Sequence, residues 1–232
     1  MRLLSTLLIC TTLALPLSAT AFSAAAATGT ISVTGTATVN VVPDLATLSL
    51  GVTTSGDTAA AAMAANSAGV TAVIARLKAA GIADRDMQTS NLSLNPNWVP
   101  DALGTTSVIK GYVASNILTV QIKAMATTGA VLDAAISDGA NTLNGLTFGL
   151  QDPRPKEDAA RKAAVADALA RGKLLAEAAG ATLGPILSIS EVEGYQPGPQ
   201  PMFKSAEAMD VPVAAGEVGV SASVTITWEL AK

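Results

Sequence analysis

G-I-A-D-R-D-M-Q-T-S-N-L-S-L-N-P-N-W, from Gly81 to Trp98, followed by I-K-G-Y-V-A-S-N-I-L-T-V, from Ile109 to Val120, decides the fold of this chain. Gly81 before Ile82 is the glycine and apolar contact of a left-handed helix stop. Leu92, Leu94 and Trp98 then alternate along an outward strand, and Tyr112, Ala114, Leu118, Val120 and Ile122 along a return strand. Between them lies a loose Asp/Gly/Thr/Ser turn. Pro96 and Pro100 have no amide hydrogen, so the far end of this hairpin belongs at an edge or on a projecting arm, about 86–124. Trp98, between those prolines, serves either as core or as cover for an edge or partner. Pro96, Trp98, Pro100 and Tyr112 are therefore the candidate interface residues.

Outward from the hairpin, strands and helices interleave. Ile31 to Val41 alternates apolar with Ser, Thr and Asn, which is a half-buried strand. Val42-Pro43-Asp44 turns the chain into a second strand carrying Ala46, Leu48, Leu50 and Val52, and adjacency predicts a hairpin between the two. Asp57 is the expected N-cap of a helix running to Ala80, with Met63, Val70, Val73, Ile74 and Leu77 inward. Thr127 or Thr128 is expected to cap a short helix with Val131, Leu132, Ala135 and Ile136 inward. A strand with Leu146, Phe148 and Leu150 follows, and Asp152-Pro153-Arg154-Pro155 opens the longest helix. That helix carries Glu157/Arg161, Asp158/Lys162 and Asp167/Arg171 at four-residue spacing, read as solvated ion pairs on one face. Pro185 to Val192 is a strand, 194–212 a Pro/Gly-rich surface loop, and Val218 to Leu230 a closing strand of unbroken alternation. The class is α+β, with a largely antiparallel or mixed sheet packed by helices.

Composition narrows the chemistry. The chain has 232 residues, 50% of them apolar but only 3% aromatic, so small aliphatic side chains must fill one sizeable core or two small ones. Residues 1–27 read as a cleaved signal peptide: Arg2, an apolar run from Leu3 to Leu17, then Ala19-Thr20-Ala21. The run is short for a membrane span and is broken by Thr11, Thr12 and Pro16. Cys10 sits in mid-run behind bulky Ile9, which does not fit a lipoprotein signal. Residues 28–232 would then be the mature domain, with no integral membrane span. The one cysteine departs with the leader and the chain contains no histidine, which removes thiol catalysis, disulfides, imidazole acid/base work and ordinary zinc sites. Losing Arg2 also takes one from 14 basic residues set against 18 acidic. No basic cluster invites nucleic acid.

Apparent motifs dissolve on inspection. Ser107-Val108-Ile109-Lys110 matches the Ser-x-x-Lys of penicillin-binding enzymes, but it leads into a strand where that serine must start a helix. Ser137-Asp138-Gly139 only approximates a companion motif. Asp84 and Asp86 flank a turn without the spacing of a calcium loop. Two long helices with polar faces, and no aromatic girdles, argue against an outer-membrane barrel. No catalytic, cofactor-binding or metal-binding residue is assigned.

Five stretches in order resemble the SIMPL-domain family, which includes periplasmic immunogenic and oxidative-stress-defence proteins of Gram-negative bacteria. They are I-S-V-T-G-T-A-T-V-N-V-V-P-D (Ile31–Asp44), Gly81–Trp98, G-Y-V-A-S-N (Gly111–Asn116), A-R-K-A-A-V-A-D-A-L-A-R (Ala160–Arg171) with the following G-A-T-L-G and I-S-E, and V-P-V-A-A-G-E before the last strand. The resemblance implies an α+β domain in the periplasm or associated with the outer membrane. It also implies a link to stress tolerance and, in some members, assembly into a large hollow oligomer. It brings no catalytic residues.

A non-enzymatic homo-oligomer with at most peripheral envelope association is the leading expectation. The alternative is a small-ligand or peptide-binding module with 194–212 as a flap. An enzyme would have to work with carboxylates, lysine or tyrosine. Peroxide chemistry could extend no further than sacrificial oxidation of Met63, Met87, Met125, Met202 or Met209.

Overall fold

The computed structural model describes residues 29–101, 103–191 and 214–231. The leader, the 194–212 loop and Met202 and Met209 lie outside them. Seven strands and three α-helices run in the order β1 (Thr30–Val41), β2 (Leu45–Gly56), α1 (Ala59–Ala79), β3 (Met87–Pro100), β4 (Ser107–Ile122), α2 (Thr128–Ser137), β5 (Thr142–Gly149), α3 (Arg154–Ala178), β6 (Thr182–Glu191) and β7 (Val218–Ala231). They form two sheets, β1-β7-β6 and β3-β4-β2-β5, and every strand pair is antiparallel. The class is α+β as expected. The expected hairpin of the first two strands does not form: Val42-Pro43-Asp44 carries the chain from one sheet to the other. Adjacency in sequence predicted pairing, but β1 instead pairs along its whole length with the distant β7.

The first sheet packs on α3. The helix buries Ala160, Ala164, Ala168, Gly172 and Ala176, one small residue every four. At Gly35 a Cβ would lie 2.2 Å from the Ala164 carbonyl oxygen and 2.3 Å from the Ala168 nitrogen, so strand and helix backbones touch. Trp228 lies against the notch left by Gly172, where a Cβ would meet its ring at 3.1 Å. With Val33, Val224 and Ile226 these residues make one small core. The alanine-rich composition is thus the means of close approach, with one aromatic ring filling the gap left over. The opposite face of the sheet is a ladder of hydroxyls, with Ser32 to Thr227 at 2.6 Å and Thr34 to Thr225 and Thr38 to Ser221 at 2.8 Å.

The second sheet carries α1 and α2 on one face. Leu48, Leu50, Val52, Val73, Leu77, Leu118, Val120, Ile122, Val131 and Leu132 form its core. Helix α1 starts at Thr58, whose Oγ1 accepts from Ala61 N at 3.1 Å; the expected cap, Asp57, lies one residue too early. It stops as expected: Gly81 has φ +91°, its N–H donates to Lys78 O, and Ile82 N–H donates to Leu77 O with Ile82 buried. Helix α2 departs from expectation. The Thr127 hydroxyl donates backwards to Ala124 O and caps nothing, and Ile136 is half exposed.

The chain passes between the two sheets at Val42–Asp44 and again after β5. The crossings are latched together: Gln151 N donates to Asp44 Oδ1 and Gln151 Nε2 to Asp44 O, both at 2.7 Å.

Candidate functional site

β2 pairs with β4 from Ala46–Ile122 to Gly56–Tyr112 and then ends. Beyond it Ser107–Lys110 has only β3 as a partner, so the end of the hairpin is a two-stranded arm. Gly111 makes its root possible. Its φ is +116°, and a Cβ there would sit 2.7 Å from Gly56 O, so only glycine fits. The pairing slips here, with Pro96 opposite Tyr112 and Trp98 opposite Ile109, which is a bulge at the arm's base.

Alternation puts Leu92, Leu94, Pro96, Trp98 and Pro100 on one face of β3, the face that carries α1. Pro96 lies opposite Tyr112 and Pro100 opposite Ser107, so the four candidate interface residues do come together on one hairpin. Trp98 is 57% exposed and Tyr112 half-buried. Sequence reading missed how far the apolar surface continues: Leu92, Leu94, Val108 and Ile109 are exposed, and Leu103 at the tip is 85% exposed. Alternation marked those residues as apolar, but only the shortness of β2 leaves them uncovered.

Asp101 shapes the tip and was also missed. Its carboxylate accepts from Leu103 N at 3.1 Å, Thr105 N at 3.0 Å, and the hydroxyls of Thr105 and Thr106. Those bonds, the Thr106 hydroxyl first, lower its pKa to about 2 against the opposing effect of its partial burial. An aspartate opening a Gly/Thr turn was the available signal.

Beneath the arm's root, Asn66 of α1 is fully buried, and its Nδ2 donates to Val52 O at 2.7 Å and Ala114 O at 3.2 Å. One side chain thus staples the helix to two strands. The Oδ1 atoms of Asn66 and Asn116 are buried without a protein donor. At the opposite edge of the same sheet, Leu50, Leu132, Ile136, Ala140, Asn141, Thr142 and Leu143 line an open apolar pocket of about 180 Å³.

The other candidates resolve as structure. Ser107 and Lys110 lie exposed on the arm and enter no helix. Asp84 pairs with Lys78 at 2.7 Å and Asp86 with Lys123 at 2.5 Å, which makes both turn residues. Met87 and Met125 pack against the larger core and Met63 is half-buried, so the methionines within the described residues are not the free surface oxidation targets anticipated. On α3, Arg161 bonds Glu191 at 2.7 Å and Asp158 at 3.0 Å; the expected Asp158–Lys162 pair is absent from the ion pairs of the described residues. Asp167 and Arg171 do more than face solvent. Asp167 Oδ2 accepts from Thr36 N at 3.0 Å and Arg171 donates to Thr34 O at 2.9 Å, which occupies the open edge of β1. Among the described residues no three Cys, Asp or Glu side chains group to hold a metal.

Fold and surface together define a two-sheet α+β protein that exposes an apolar strip along the β3–β4 hairpin. The chain belongs to the SIMPL family: residues 31–228 match its model, described as a protein of unknown function (DUF541). It is 37% identical over 211 residues to the 26 kDa periplasmic immunogenic protein of Brucella melitensis, covering 86% of this chain and 84% of that one. It is 32% identical over 195 residues to the uncharacterized protein YggE of Escherichia coli, covering 84% and 78%. Neither name carries an enzymatic activity.

Proposed function

We propose that this protein acts in the periplasm as a non-enzymatic, self-associating envelope protein that contributes to stress tolerance, and that the β3–β4 arm is its contact surface. The observation that carries the reading is the uncharged apolar strip on the arm, with Trp98 at its centre. Soluble proteins seldom leave a long strand edge and a contiguous apolar strip both uncovered. The periplasmic setting rests on the name of the Brucella relative and on the leader-like first 27 residues. The stress role rests on the family resemblance.

The ligand-binding alternative gains nothing from the pocket at β5. Sites for cofactors and metabolites run to about 300–1,000 Å³, and this one holds about 180 Å³.

Native mass measurement on residues 28–232 tests the proposal. A defined multimer at micromolar concentration is expected, falling to smaller species in Trp98→Ala with an unchanged melting temperature. A wild-type monomer would overturn it. Loss of the gene should sensitise cells to peroxide, and a deletion strain as resistant as its parent would remove the stress role.

A further inference from the structure

The two open edges of the second sheet are built alike. β3 has no charged residue among its fourteen and β5 none among its eight. The first sheet guards its edges differently: Asp167 and Arg171 occupy the backbone of β1, and β6 carries Pro185 and Glu191, the latter held by Arg161. Natural edges are usually blunted by charge or cover. The prolines of β3 fall only at its outer end, so Asn91–Asn95 keeps every amide hydrogen.

Direction and facing also agree. β2 runs antiparallel to both β4 and β5, and β4 antiparallel to β3, so β3 and β5 run in opposite senses. A second copy added sideways in the same orientation therefore presents its β3 antiparallel to the first copy's β5, and its helix-bearing face continues the first copy's helix-bearing face. On that face β3 shows Leu92 and Leu94, while β5 shows Leu143 at the lip of the pocket with Ile136. The heights match as well: Leu143 pairs with Leu50, and Leu92 pairs with Asn116, whose other partner is Val52, two residues along from Leu50. A pocket too small for a metabolite suits one or two aliphatic side chains of a neighbour.

We infer that copies of this chain join head to tail, β3 of one adding to β5 of the next, with Leu92 and Leu94 seated against Leu143 and Ile136. This rests on the self-association proposed above and specifies its interface. The two surfaces differ, so the contact is heterologous and propagates from copy to copy rather than stopping at a pair.

Leu92→Glu and Leu143→Glu test it, since both side chains are more than half exposed in the isolated chain and neither change should prevent folding; far-UV circular dichroism checks this. Each variant alone should be monomeric by native mass spectrometry. Their equimolar mixture should give a 1:1 dimer and nothing larger, because one intact β3 and one intact β5 remain between them. A Leu143→Glu variant that keeps the wild-type mass overturns the inference, and so does a mixture that stays monomeric. A wild-type chain that is itself monomeric instead defeats the self-association reading from which this starts.

Discussion

At Gly35 the fold tolerates no side chain at all. A methyl group there collides with backbone on both sides of a helical turn, and backbone cannot rotate away as a side chain can. Gly35→Ala should therefore cost at least about 3 kcal/mol, the upper range for overpacking, read as a fall in the urea midpoint. Asn66 offers the opposite lesson. Removing its amide breaks two buried bonds that tie α1 to β2 and β4, so Asn66→Ala should cost about 1–3 kcal/mol, again by denaturant unfolding. Asp101 sets a pH dependence. Its pKa is about 2 in the fold against an ordinary 3.8, so it is a carboxylate whose folded value is depressed. Its contribution is complete above the ordinary value and fades as pH falls toward 2. Protection factors at the Leu103 and Thr105 amides, taken relative to the intrinsic exchange rate at each pH, should fall over that window while the sheet cores stay protected. Unchanged protection at pH 2 would show that the carboxylate does not hold the tip.

At the scale of elements, periodicity made most of the fold legible. The alternation of Val218 to Leu230 marked β7, Gly81-Ile82 marked the end of α1, and Pro153 and Pro155 marked the start of α3. Pairing partners were less legible, because alternation specifies a face and says nothing about which strand lies alongside. Hence the expected β1–β2 hairpin became a crossing between sheets. Asn66 escaped notice for a related reason: a polar residue on an inward helical position breaks the apolar pattern that defines inward. Asp57 and Thr58 are both good caps, and sequence does not choose between neighbours one residue apart. Thr58→Ala should cost about 1 kcal/mol, whereas Asp57→Ala should be nearly silent; equal effects in thermal melts would reverse that assignment. Trp98 lies on β3 between its two prolines and is 57% exposed, and neither the pattern nor the fold names its partner.

As a whole the molecule has two cores that share no buried residue, one under α3 and one under α1 and α2. Stability should divide accordingly. Trp228→Ala removes the one aromatic ring that the described residues place in the smaller core and should cost about 3–5 kcal/mol there. Hydrogen exchange should then show β1 and β7 opening while β2 and β4 remain protected; simultaneous loss in both sheets would mean that the cores unfold as one. The smaller core also has an unusual constituency. Its strand β1 comes from the beginning of the described chain, and its strand β7 from the end. Any machinery that delivers this polypeptide amino-end first, ribosome or translocon, releases β1 long before its mate exists. The four-stranded half, contiguous in sequence from Leu45 to Gly149, can settle while the first strand waits unpaired. Only when the fourteen residues of β7 emerge does that early strand find shelter, so a truncation that removes β7 should strand β1 and invite proteolysis there.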